Sequence, residues 1–191
     1  QRCSMVRLLL YLDGLKLESL LHQGDGAWIE ERLGFYAQCQ LRLQENAPSF
    51  PEAAELRAAV RQASVPTILE QLLQPSKERL HFLVWSGGDE VIEALSQIEQ
   101  EHADQKVLVA KRTSIHFLGE LSGSALAGLK EWPEMEVIMT DKQGAVLGED
   151  WKSHVEGTYA DVLKSHWMAT NILQKHGPLC ASYEAHGADA V

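Results

Sequence analysis

In the first third of the chain the apolar positions recur at helical spacing. "SMVRLLLYLDGLKLESLLHQ", residues 4–23, is leucine-rich and predicts a helix with a break at Asp13-Gly14. "GDGAWIEERLGFYAQCQLRLQ", residues 24–44, puts Ile29, Leu33, Tyr36 and Gln40 on one face, with Trp28, Phe35 and Cys39 alongside, the wide apolar band of a buried helix. In "NAPSFPEAAELRAAVRQ", Ser49 stands three residues before Glu52, a capping-box spacing with Pro51 in the tolerated first turn. A further helix is expected from Ser64, with Pro66 in its first turn and Ile68, Leu69, Leu72 and Leu73 facing inward. Gln74 to Lys77 then form the best candidate boundary, so 1–74 reads as a helical region.

After that boundary short apolar runs alternate with helical stripes. Arg79–Trp85 predicts a strand, and Asp89–His102 a helix with Val91, Leu95, Ile98 and His102 as its buried stripe. Lys106–Lys111 and Ile115–Leu121 predict two strands, separated by so few residues that a hairpin is expected. Ser124 is placed to cap a brief helix to Lys130, Met135–Thr140 predicts another strand, and "DKQG" turns it into Ala145–Leu147. A closing helix is expected over Thr158–Lys175, stopped by Gly177-Pro178, with 177–191 left as a mobile tail. The order strand, helix, strand, strand, helix, strand describes an α+β protein. Its helical N-terminal half precedes a small antiparallel or mixed sheet over 79–176 with helices on one face, a ferredoxin-like or a longin- or GAF-like sandwich.

Composition narrows the partners. The 191 residues are 45% hydrophobic and 23% charged, a globular mix with enough chain for a sizeable core. A formal net charge of −10 opposes binding to phosphate backbones and anionic lipid surfaces, so neither nucleic acid nor membrane is an expected partner. The run Leu8–Leu12 is too short to span a bilayer or serve as a signal core. Three cysteines, Cys3, Cys39 and Cys180, are an odd number in a chain too large to need disulfide staples, which leads to an expectation of reduced thiols and a cytoplasmic setting. Gln1 in place of methionine fits a piece of a longer protein.

The stretch most suggestive of chemistry is "VWSGGDEVIEA", where a strand meets two glycines and a helix. A phosphate loop needs more than Gly87-Gly88, ordinarily a Lys with a Ser or Thr, and Asp89 puts negative charge where the phosphate would sit. Ser86 with Asp89 three residues later accounts for the same residues as a helix cap. The histidines offer one metal-like grouping, His154, His166 and His176 with Cys180. On an ideal helix, however, His166 and His176 stand about 80° apart and nearly three turns distant, so no metal and no other cofactor is expected. His166 reads as part of an apolar stripe and Cys39 as packing. No nucleophile elbow occurs, and the acidic pairs Glu30-Glu31, Asp89-Glu90 and Glu149-Asp150 look like solvated turns and helix starts.

The leucine-rich helices carry apolar residues on more than one face, and a final Val191 could be captured as an added strand. The expected function is a protein-interaction module, a regulatory, adaptor or assembly component that contacts a partner protein or self-associates, more readily than an enzyme. The alternative is a small metal-independent hydrolase or transferase with a pocket near Ser86, Gly87, Gly88 and His116, in which Ser86 and His116 are catalytic and Gly87 and Gly88 bind the ligand.

Overall fold

The structure, a computed structural model, describes residues 2–76, 78–85, 88–118, 122–139 and 177–182. The chain divides into two compact units, one of 1–62 with 145–191 and one of 63–144. The division after Gln62 puts the helix that follows Ser64 with the second unit.

In the first unit, helix α1 (Arg2–Leu10) gives way to a single 3-10 turn at Leu12–Gly14, and β1 (Leu20–His22) follows. Helix α2 (Ala27–Asn46), helix α3 (Ala53–Ala58) and strand β2 (Val60–Gln62) come next. β1 and β2 pair in parallel, Leu20 opposite Val60 and His22 opposite Gln62. Parallel pairing requires a long crossover, which α2 and α3 supply. The core beneath them joins Val6 and Leu9 of α1, Ile29, Leu33 and Tyr36 of α2, Leu56 of α3 and Leu179 of a short helix α8 (Gly177–Ala181). The predicted stripe of α2 is therefore buried at Ile29, Leu33 and Tyr36, with Gln40 half-buried at its edge.

Two first-unit expectations are corrected. Residues 15–22 do not continue a helix: the chain is irregular to Ser19 and then forms β1, because Asp13-Gly14 ends the helical run and Leu20 finds its partner in β2. The capping box lies three residues later than predicted. Glu52 caps α3 and exchanges hydrogen bonds with Glu55, and Glu52 also receives Gln40 and Gln44 from α2, contacts invisible to local spacing.

The second unit runs α4 (Val65–Leu73), β3 (Leu80–Val84), α5 (Asp89–Glu101), a 3-10 turn, α6 (Lys106–Arg112), β4 (Thr113–Phe117), α7 (Gly123–Leu129) and β5 (Glu136–Met139). The strands form a three-stranded sheet in the order β3-β4-β5, all parallel, with Phe82 beside Ile115 beside Val137. α4 begins as its sequence predicts, Ser64 accepting from the Thr67 amide at 3.3 Å with Pro66 in the first turn. α5 buries Val91, Leu95 and Ile98 as expected, but it ends at Glu101, which leaves His102, the fourth member of the predicted stripe, half-buried beyond it.

The antiparallel or mixed, ferredoxin-like or longin- or GAF-like sandwich is overturned, and the error has one physical source. Lys106–Arg112 is a helix, so no hairpin joins it to β4. Within α6, Val109 and Ala110 are buried while Val107 and Leu108 are exposed, the pattern of a helix face and not of an alternating strand. Lys106 anchors its start, paired with Glu99 and lying 5.1 Å from the ring centroid of Trp132. With that helix in place every successive strand is reached through helix, and parallel pairing follows. The cap of α7 is Ser122, accepting from the Ala125 amide at 3.2 Å, in place of Ser124. The strand expected at Ala145–Leu147 and the helix at Thr158–Lys175 lie outside the described residues; of the tail expected over 177–191, residues 183–191 lie outside them too, while Gly177–Ala181 form α8 with Leu179 buried.

Candidate functional site

Parallel sheets present their loops for binding at the carboxyl ends of the strands. In the first unit that end carries a tight loop, Gln23-Gly24-Asp25-Gly26, between β1 and the twenty-residue helix α2. Gly26 caps the helix in a left-handed conformation, φ 67°, and its carbonyl accepts from the Ile29 and Glu30 amides at 2.9 and 3.3 Å. Asp25 Oδ1 accepts from the Ala27 amide at 3.1 Å, which sets a carboxylate at the positive end of α2. His22, the last residue of β1, lays its imidazole against Gly26, and its buried Nδ1 has no hydrogen-bond partner among the described residues. The Ser19 hydroxyl nearby in sequence is buried in the same way. Trp28, half-buried, follows in the first turn of α2, while Arg57 of α3 pairs with Glu30 at 3.3 Å.

Sequence reasoning missed this loop because it continued the helix through Leu15–His22. The signal was present: "HQGDGAW" repeats, more strongly than "WSGGDE", the strand, glycine and helix pattern sought at 86–88.

Of the residues predicted as a site, Ser86 and Gly87 lie outside the described residues. Gly88 is buried at the cap position of α5, whose first turn holds Asp89 and Glu90, and among the described residues no side chain caps that helix. The residue at the cap position is Gly88, and Ser86, expected as the cap, lies outside the described residues. His116 is half-buried in β4, the central strand, between Leu83 of β3 and Ile138 of β5 on one face of the sheet. The Leu118 amide donates to the Val84 carbonyl at 2.9 Å, which brings the end of β4 alongside the end of β3.

Among the described residues no three His, Cys, Asp or Glu side chains are grouped as a metal site, and His154, His166 and His176 lie outside them. No helix among the described residues is long and apolar enough to cross a membrane. Cys39 packs against the first-unit core, and Cys180 lies on α8, its thiol pushed up by burial and then by Cys39.

One solved structure, a nucleoside hydrolase-related hypothetical protein from Saccharophagus degradans that is associated with carbohydrate metabolism, superimposes with a TM-score of 0.64 at 14% identity. The match covers 97% of this chain and 47% of that one, so the chain spans about half the length of that protein, and at this identity the likeness speaks for the fold. No curated protein matches the chain by sequence. The parallel β-helix-β order that overturned the antiparallel sandwich is thereby matched in a structure related to nucleoside hydrolases. A family model described as "Cellulose-binding Sde182, nucleoside hydrolase-like domain" matches residues 1–188, and the chain belongs to that family.

Proposed function

We propose that this chain is a carbohydrate-associated domain that binds a neutral, polyhydroxylated ligand, a β-glucan chain, at the loop joining β1 to α2. The single observation that carries the reading is the family match over residues 1–188, whose description names cellulose binding. The loop's chemistry supports the same ligand class. Its helix terminus already holds the Asp25 carboxylate, which disfavours a phosphate and suits hydroxyl donors. Trp28, three residues after Asp25, is half-buried with its ring packed on the first-unit core, and the part left exposed is an aromatic surface of the kind that packs against apolar ligand faces.

Depletion of the intact protein onto microcrystalline cellulose, with calorimetry on cello-oligosaccharides, tests the reading. Asp25→Ala and Trp28→Ala are each expected to weaken binding at least about tenfold, the loss of roughly one charge-assisted hydrogen bond or one aromatic contact. Retained binding in both variants would move the site elsewhere, and no binding to any glucan would end the proposal. Release of free base from nucleosides, measured in parallel, separates a hydrolase from a binding domain.

A second reading, function through protein contacts, is favoured by one feature of the second unit. Leu83 and Ile138 flank His116 across the sheet with 45% and 41% of their surfaces exposed, an apolar strip open on that face. Sedimentation of the protein with and without Leu83→Glu tests it: self-association lost in the variant supports the strip as an interface, and a concentration-independent monomer in both removes self-association.

A further inference from the structure

Helix α8 packs on α2 within the first unit. Gly177 begins α8, and a Cβ built on it would lie 3.4 Å from the sulfur of Cys39. Cys180 is three residues further along the same helix. Only one turn of chain separates Cys180 from the residue packed at the Cys39 sulfur, and Cys180 lies near enough to Cys39 to feel its charge. Both sulfurs belong to free thiols, and both residues are half-buried, within reach of a small reagent.

We infer that Cys39 and Cys180 form a dithiol site, which a small-molecule disulfide oxidant closes into a Cys39–Cys180 bond that ties α8 to α2. This goes beyond glucan binding and does not depend on it.

The chemistry is thiol–disulfide exchange. The Cys39 thiolate attacks one sulfur of the oxidant, forms a mixed disulfide and expels the first small thiolate. The Cys180 thiolate then attacks the Cys39 sulfur and expels the second. Two protein S–H bonds are replaced by one S–S bond, and the two electrons and two protons leave on two molecules of small thiol. Burial and the neighbouring Cys39 hold the Cys180 thiol above the ordinary cysteine range, which leaves less of it as thiolate for the first attack on an oxidant in solution. Gly177 fits the same arrangement: φ is 86° there, and the missing side chain leaves room at the Cys39 sulfur.

The test uses the full chain with Cys3→Ser, so that Cys39 and Cys180 are the only thiols. Native protein is treated with oxidised glutathione and followed by thiol titration, intact mass and peptide mapping. The expected result is loss of both thiols together, a mass lower by two hydrogens and a Cys39–Cys180 cross-linked peptide. Adding Cys180→Ser should stop the reaction at a stable glutathione adduct on Cys39. Stable adducts on both cysteines, dimers joined through either, or thiols that react only after denaturation would each overturn the proposal. An oxidant-free measurement guards against slow exchange: one equivalent of phenylarsine oxide, which needs two neighbouring sulfurs, should bind the parent and not either single-cysteine variant. Equal weak binding by all three would likewise overturn it.

Discussion

Gly26 faces the imidazole of His22 so closely that a Cβ at position 26 would lie 2.7 Å from His22 Cε1 and 2.8 Å from Nε2. Gly26→Ala therefore meets two costs, a left-handed backbone that disfavours a side chain by about 1 to 2 kcal/mol, and the clash itself. The expected loss is about 2 to 4 kcal/mol by denaturant unfolding. In a His22→Ala background the same change should cost less, leaving only the backbone share. Equal costs in both backgrounds would show that the ring moves aside freely.

The guanidinium of Arg112 closes the end of α4. It donates to the carbonyls of Leu72 at 2.8 Å, Gln71 at 3.1 Å and Gln74. Three carbonyls that the helix leaves unsatisfied thus share one planar fork. Arg112→Ala is expected to cost about 1 to 3 kcal/mol, and Arg112→Lys to recover less than half of it, since an ammonium cannot span the same acceptors. Chemical denaturation of both variants provides the check.

Tyr36 is buried and donates to the Pro51 carbonyl at 2.8 Å. Burial first, then the carboxylates of Glu52 and Glu55, push its phenol up to about 12. Because the folded value lies above the unfolded one, the stabilisation is complete below about pH 10 and fades as pH rises toward about 12. Stability measured over that interval should fall more steeply for the parent than for Tyr36→Phe. Parallel curves would mean that the phenol ionises normally in the fold.

Thr113 opens β4 fully buried, and its Oγ1 has no hydrogen-bond partner among the described residues. Replacing the hydroxyl by a methyl of similar shape removes an unpaired polar atom from the interior, so Thr113→Val should be neutral or stabilise by up to about 1 kcal/mol. A loss above about 1 kcal/mol in thermal unfolding would point to an uncounted partner.

A long helix was legible where its stripe was long. Ile29, Leu33 and Tyr36, and again Val91, Leu95 and Ile98, could be read from spacing because three or four turns repeat the same signal. Lys106–Arg112 was not legible, since its four-residue apolar run Val107–Ala110 has no period of its own and the contacts of Lys106 with Glu99 and Trp132 lie outside the segment. That one segment reversed the sheet from parallel to antiparallel. β1 and β2 failed differently: with three residues each, they exist because they pair across the α2–α3 crossover, which local patterning cannot register. The glycine loop at 23–26 was overlooked as a consequence, although its residues carried the clearer pattern.

α6 ends at Arg112 and β4 begins at Thr113, with no connecting residue. One inserted residue there would turn the buried face of α6 by about 100° or transfer every side chain of β4 to the opposite face of the sheet. The connection from α4 to β3 has no such coupling, and lengthening it costs only the slow, logarithmic loss of loop closure. Insertions and deletions that separate members of this family should therefore collect before β3 and avoid the α6–β4 joint, making that peptide bond a fixed point against which other length differences can be aligned.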